Sequence, residues 1–225
     1  PERQGGRADP AAARRRDRLE ALAEKLQAYG AEPLVLPADL TDENEAQRIV
    51  ADTEARYGKL DILVNNAGVM YLEPVAEADL RRWRQMLELN VLSLIASTQA
   101  ALAGMRARQD GHIVNVSSTA GRFANPNAAA YSATKFGVVA FSDALRREVY
   151  KDRIRVSIIE PGLVATELRD HIGHREVKDN LNAWADSLRR QLQPQDVAET
   201  ILFCVTRPPH VGINEVLMRP TDQER

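Results

Sequence analysis

Apolar positions along the chain fall into two kinds of pattern, short continuous runs and longer stretches with helical spacing. Leu19, Leu22, Ala23 and Leu26 recur at steps of three and four, which predicts a helix. Asp9-Pro10 is a helix-opening pair, the Asp as cap and the Pro at the first helical position, and Gly30 fits the end of that helix. Thr41 with Asn44 and Glu45 opens a second helix, expected to run to Tyr57 and stop at Gly58. Residues 77–108 read as mostly helical with a break near 86, residues 127–150 as one helix, and Pro194 to about Thr206 as another. Between these lie the apolar runs PLVLPA (33–38), DILVN (61–65), HIVNVS (112–117), IRVSII (154–159) and a last short one at Glu215–Met218.

Strands of five or six residues alternating with long helices predict βαβ units and a parallel sheet. Buried parallel strands read as unbroken apolar runs, as these do. The expected fold is α/β, a Rossmann-like doubly wound parallel sheet in one domain over residues 1–225, with residues 1–10 irregular. The composition agrees with this: 225 residues, 44% hydrophobic and 28% charged, too apolar for disorder. Thirty Lys and Arg against 32 Asp and Glu leave a net charge of −2, so no basic field points to nucleic acid. A single cysteine, Cys204, excludes a disulfide framework and a multi-thiolate metal site. Its apolar surroundings (ILFCV) mark it as a core residue, and Met86 and Met105 read as helix packing. No apolar run approaches eighteen residues and no signal peptide is visible, so no membrane span is expected and the expected compartment is the cytosol.

The candidate chemistry lies at the carboxyl ends of the strands, where ligands bind in such sheets. Tyr131 and Lys135 stand four apart in YSATK, on one face of a helix. A cation beside a phenol stabilises the phenolate, and a phenol so lowered serves as a general acid or base; the same spacing is also common among ordinary surface neighbours. Ser118 ends the HIVNVS strand thirteen residues before Tyr131, placed either to donate to a substrate oxygen or to cap a turn. Asn65-Asn66-Ala67-Gly68 follows DILVN, and its small residues allow close approach to a flat ligand or form an ordinary turn. Asn90 lies inside the apolar LELNVLSLI, where its amide needs partners, either backbone or a held water.

NNAG at 65–68, Asn90, Ser118, Tyr131 with Lys135, and Pro161-Gly162 with Thr166 occur in an order and spacing that resembles the short-chain dehydrogenase/reductase family. The resemblance covers about residues 11–225. ARRRDRLEAL, AYSATKFGV, IEPGLVATEL and NEVLMRPTDQ are similar to the clavulanate-dehydrogenase-like, NADP-dependent group. It implies an oxidoreductase acting on a carbonyl or secondary alcohol. Tyr131 would be the acid or base, Lys135 would lower its pKa and bond the nicotinamide ribose, and Ser118 would hold the substrate oxygen. Asn90 would order a water linking Lys135 to solvent. Asn66, Ala67 and Gly68 would line the adenosine and ribose side, and Asp39 with the Leu40 backbone would meet the adenine. Pro161, Gly162 and Thr166 would position the nicotinamide. Arg14-Arg15-Arg16 stands where an acid would hold a ribose hydroxyl, and Arg there accommodates a 2′-phosphate, which favours NADP over NAD.

The family pattern also has a first strand and a glycine-rich turn before the arginines. Here only Gly5-Gly6 is found, and GRADPAA does not read as a strand, so the first two strands are expected to be missing. PLVLPA would then re-pair with DILVN or leave an unstable sheet with open edges. The chain is therefore expected to be an N-terminally incomplete form of an enzyme of about 250 residues, and a poor catalyst as it stands. The competing expectations are an inactive fragment and a non-catalytic nucleotide-binding or interaction module on the same fold. Met70, Tyr71, Phe123, His171, Ile172 and Trp184 are the expected substrate pocket, the polar stretch around RDHIGHREVKDN serving as an irregular lid. His171 and His174 lack a third ligand, so no metal is expected. The surplus apolar surface of the helices at 86–108 and 127–150 suggests a homo-oligomer, a dimer or tetramer.

Overall fold

A computed structural model of the chain describes residues 8–224. Among these residues six strands and seven α-helices follow one another: β1 (Ala8–Ala13), α1 (Arg16–Ala28), β2 (Glu32–Pro37), α2 (Glu43–Tyr57), β3 (Ile62–Asn65), α3 (Leu80–Leu87), α4 (Ser93–Arg108), β4 (Gly111–Val116), α5 (Ala129–Val149), β5 (Ile154–Pro161), α6 (Arg175–Ser187), α7 (Pro194–Val205) and β6 (Glu215–Met218). Strands β3-β4-β5-β6 form one parallel sheet in that order, and β1 and β2 form a separate parallel pair.

The elements start and stop where local chemistry says they should. Asp42 caps α2 by accepting from the Asn44 backbone N–H at 2.9 Å. Gly58 ends it in a left-handed conformation, φ 80°, which glycine adopts without strain. Pro194 lies in the first turn of α7, behind a reciprocal Gln193–Asp196 cap. Strand β4 is buried along nearly its whole length, as a strand covered on both faces must be.

Three apolar clusters hold the layers together. Val50 and Ile49 of α2 meet Ala101 and Met105 of α4 and Ile113 of β4. Val69, Met86, Leu89 and Tyr131 form a second cluster beside the site described below. Cys204 packs with Val114 and Ile159 in a third, so the lone thiol is a core residue and burial pushes it up from its ordinary pKa. The helical stretch Leu80–Arg108 is long and apolar enough to cross a membrane by composition, yet half of its most apolar window is buried inside the fold, as in a core helix.

Several expectations are corrected. Asp9-Pro10 does not open a helix: Ala8–Ala13 is a strand, in register with Glu32–Pro37, and α1 begins at Arg16. GRADPAA misleads because alanine and proline disfavour strands intrinsically. Among the described residues β1 pairs with β2 alone, and an edge strand tolerates Pro10, whose missing N–H is affordable there. One of the two strands expected to be missing is therefore present, and residues 8–10 are not irregular. Gly5-Gly6, where the glycine-rich turn was expected to be lacking, lies outside the described residues. PLVLPA does not re-pair with DILVN; β2 pairs with β1, and the pair is joined to the larger sheet through α2 packing on α4. β3 bonds to β4 alone among the described strands, and its Ile62 and Val64 remain exposed. The break in the long helical stretch falls at Glu88–Leu92, as a π-helical turn. The stretch around RDHIGHREVKDN, expected to be an irregular lid, runs into α6.

Candidate active site

The carboxyl ends of β3, β4 and β5 open into a cleft of about 1140 Å³. Val116, Ser117 and Ser118 leave β4 into its wall, and Pro161 and Gly162 leave β5 beside them. The first two turns of α5 bring Tyr131 and Lys135 to the same wall. Both side chains are buried, each 7% exposed.

Lys135 Nζ donates to the Val116 carbonyl at 3.0 Å and lies 5.7 Å from the centre of the Tyr131 ring. Burial pushes the Lys135 ammonium down to about 8. Burial pushes the Tyr131 phenol up to about 12, and the Ser118 hydroxyl that faces it acts in the opposite sense. The expected downward shift of Tyr131 is thus reversed. The phenol sits in an apolar cluster with Val69, Met86 and Leu89, where desolvation of a phenolate outweighs the Ser118 hydrogen bond. Ser118 is placed by its own turn: its Oγ accepts from the Ala120 N–H at 3.1 Å and donates to the Pro161 carbonyl at 3.4 Å.

Asn90 lies in the π-helical turn and is 2% exposed. Such turns are irregularities that recur at functional sites. Its Oδ1 accepts from the Val69 N–H at 2.8 Å, and its Nδ2 donates to the Val69 carbonyl at 2.9 Å and to Thr134 Oγ1 at 3.1 Å. Backbone takes two of the three bonds of the amide, which fixes the segment at Val69 against α5. A Cβ at Gly68 would stand 3.2 Å from Asn90 Oδ1, a tight contact that the missing side chain avoids.

Arg15 and Arg18 also line the cleft. Of the residues singled out from sequence, Arg15, Asn66, Gly68, Ser118, Tyr131 and Lys135 line this one cleft. Pro161, Gly162 and Thr166 join them, as do Met70, His171 and Trp184 from the expected substrate pocket. Arg14, Asp39, Leu40, Ala67 and Asn90 are not on the wall. Asp39 instead accepts from the backbone and hydroxyl of Thr41 at 3.1 and 2.9 Å, which, with Arg14 nearby, lowers its carboxyl.

Three residues expected in the substrate pocket face elsewhere. Tyr71 bonds Gln85 through its hydroxyl and carries Arg82 over its ring. Arg219 lies over the Phe123 ring, 5.7 Å from its centre, and Ile172 is buried. His174 is a cap, its Nδ1 accepting from the Val177 N–H of α6 at 3.3 Å.

Sequence reasoning missed Arg18, Glu167 and Gln223, all on the cleft wall. Gln223 Oε1 accepts from the Leu163 N–H at 2.9 Å and so pins the chain just after Gly162. It also missed a buried charge pair behind the site. Glu160, fully buried, takes two bonds from Arg122 Nε at 2.8 and 3.0 Å, and Arg122 also pairs with Glu215.

A family model described as short chain dehydrogenase matches residues 5–177. The chain is 36% identical over 212 residues to a glycine betaine reductase of Emericella nidulans, covering 94% of this chain but only 16% of that much longer protein. It is 31% identical over 213 residues to an uncharacterized oxidoreductase of Staphylococcus saprophyticus, covering 94% of this chain and 85% of the relative. Among solved structures it resembles the closed form of a serine dehydrogenase complexed with NADP+, with TM-score 0.88 and 34% identity over 99% of this chain and 88% of that one. A 3-ketoacyl-ACP reductase from Sinorhizobium meliloti 1021 is similar with TM-score 0.82 and 28% identity, covering 94% and 87% of the two chains.

Proposed function

The chain belongs to the short-chain dehydrogenase family, and we propose that it is an NADP(H)-dependent oxidoreductase interconverting a carbonyl compound and a secondary alcohol. The observation that carries this reading is one cleft lined both by Ser118, Tyr131 and Lys135, an acid–base group, and by Arg15 and Arg18. The donor set fits the cofactor. Guanidinium groups suit a 2′-phosphate, and the small residues Gly68 and Gly162 leave room along the wall. A serine dehydrogenase of similar fold is complexed with NADP+. When bound, the cofactor supplies or accepts the hydride.

In this reading Arg15, with Arg14 behind it, holds the 2′-phosphate, and Asn66 and Gly68 border the adenosine side, with Ala67 between them and Asp39 and Leu40 beyond. Pro161, Gly162 and Thr166 position the nicotinamide end, and Gln223 holds that segment in place. Ser118 Oγ donates to the substrate oxygen. Tyr131, kept protonated by burial, gives its proton to that oxygen in the reductive direction. Lys135 places positive charge beside the phenolate that forms and so stabilises the charge developing in the transition state. Asn90 acts as a positioning residue through Val69. The wording of ARRRDRLEAL and IEPGLVATEL supports placement in the clavulanate-dehydrogenase-like, NADP-dependent group. Exposed Leu87, Leu92 and Phe136 on the helices flanking the sheet support a homo-oligomer.

The test is a thermal shift of the chain with NADPH and with NADH, followed by a screen of aldehydes and ketones. Ligand at a hundredfold excess over its Kd stabilises by about 2.7 kcal/mol, so NADPH should raise the melting temperature clearly and NADH much less. Tyr131→Phe should keep the NADPH shift and lower turnover by about 10²–10⁴. A chain indifferent to both nucleotides, or a Phe variant with full turnover, would overturn the reading.

A further inference from the structure

Three charged side chains on the cleft wall form a contact that the proposed chemistry does not use. Glu167, in the turn directly after Thr166, accepts from Arg15 Nη1 through one carboxylate oxygen at 2.7 Å and pairs with Arg18 Nη2 through the other, also at 2.7 Å. All three residues line the cleft. Arg15 precedes α1 and Arg18 lies in its first turn, whereas Glu167 belongs to the connection from β5 to α6. The carboxylate therefore reaches from one wall of the cleft to the other. The two guanidinium groups hold its pKa below the ordinary range, so it is ionised at neutral pH. The side chains remain half exposed, at 59%, 57% and 47% for Arg15, Arg18 and Glu167, so the pairing is open to exchange with a dissolved anion.

Resting on the reading of Arg15 as a phosphate-holding residue, we propose that Glu167 is a specificity-determining residue, an internal carboxylate that competes with the 2′-phosphate for Arg15 and Arg18. A phosphate carries nearly two charges and three strong acceptor oxygens against one charge and two oxygens for the carboxylate. It displaces Glu167, but part of its binding energy is spent in doing so. A nucleotide without the 2′-phosphate leaves the carboxylate in place and incurs no such cost. Glu167 therefore narrows the cleft's preference for the phosphorylated form, and the effect is electrostatic, so salt weakens it.

The test is calorimetric titration with adenosine 2′,5′-bisphosphate and adenosine 5′-monophosphate, which reads binding without turnover. The wild-type chain should prefer the bisphosphate. Glu167→Gln should bind the bisphosphate about two- to fivefold tighter at low ionic strength, the size expected for exposed ion pairs. Its affinity for the monophosphate should not change, and the gain should shrink at about 0.5 M salt. Glu167→Ala should show the same gain, which separates lost charge from any disturbance of folding. Bisphosphate binding unchanged or weakened in both variants would overturn the role of Glu167 and leave the oxidoreductase reading intact. A wild-type chain that does not prefer the bisphosphate would overturn the NADP reading and this proposal with it.

Discussion

Arg122→Met tests the buried charge pair behind the site. Arg122 closes the turn that follows Ser118, and its Nε bonds both oxygens of the fully buried Glu160 at 2.8 and 3.0 Å. Methionine leaves that carboxylate without its cation. Breaking a buried ion pair by removing one partner costs about 3–5 kcal/mol. The Arg122 side chain is 31% exposed, so water softens the loss and the lower end applies, about 3 kcal/mol. For a domain of this size that corresponds to about 6–12 °C in melting temperature.

The loss should also depend on pH, with a sign that burial dictates. Desolvation already raises the Glu160 carboxyl above its ordinary 4.5, and Arg122 opposes that rise. Removing Arg122 raises it further. A carboxyl whose folded pKa lies above its unfolded value stabilises the fold at low pH and loses that stabilisation as pH climbs through the folded value. The variant should therefore suffer most at neutral and alkaline pH and recover toward pH 5. Urea unfolding followed by circular dichroism across that range measures it. A variant within about 1 kcal/mol of wild type at pH 8, well under the cost of breaking such a pair, would refute the reasoning. So would a deficit that grows toward acid. Adding Glu160→Gln to the variant should restore part of the loss, since the neutral amide no longer needs a cation.

Lys135→Met should raise stability at pH 7. Burial lowers the ammonium from 10.5 to about 8, a cost of about 3 kcal/mol, offset by about 1 kcal/mol for the bond to Val116. The gain of about 2 kcal/mol should fade between pH 8 and 10.5, where the wild-type chain recovers as the lysine deprotonates; a variant less stable than wild type at pH 7 in urea would contradict this. Gly121→Ala should cost about 1–3 kcal/mol, because its Cβ would lie 2.7 Å from Ser117 Oγ and 2.9 Å from the Lys135 carbonyl, and backbone on a helix cannot give way. Chemical denaturation checks it, and a variant as stable as wild type would mean that the turn is not pressed against α5.

The parallel strands from β3 onward were readable because buried apolar runs bounded by glycine and proline leave few alternatives. β1 was not, because Ala8–Ala13 has no strand propensity and is held by its register with β2. At the site, spacing put Tyr131 and Lys135 on one helix face and Ser118 at a strand end, and the family resemblance joined them into one group. Their protonation was beyond reach of spacing, since the apolar cluster around Tyr131 comes from α3 and the segment after β3. Glu167 and Gln223 escaped for a similar reason. Each contacts residues more than fifty positions away, and a lone Glu or Gln carries no local signal of such a partner.

The pKa values of the pair also decide which residue limits the reaction at high pH. Tyr131 stays protonated up to about 12, so its phenol remains able to donate a proton throughout the usual range of assay. Lys135 loses its charge near 8. Without that charge the phenolate left by proton transfer would sit in the apolar cluster with no cation beside it, and burying such a charge is costly. Reduction should therefore slow above about pH 8, with the apparent pKa belonging to the pair and dominated by Lys135. A Lys135→Arg variant, charged at every accessible pH, should lose this alkaline limb whatever its absolute rate. A wild-type rate flat to pH 10, or a limb that persists in the arginine variant, would remove the Lys135 charge from the mechanism and leave the acid work to Tyr131 and Ser118 alone.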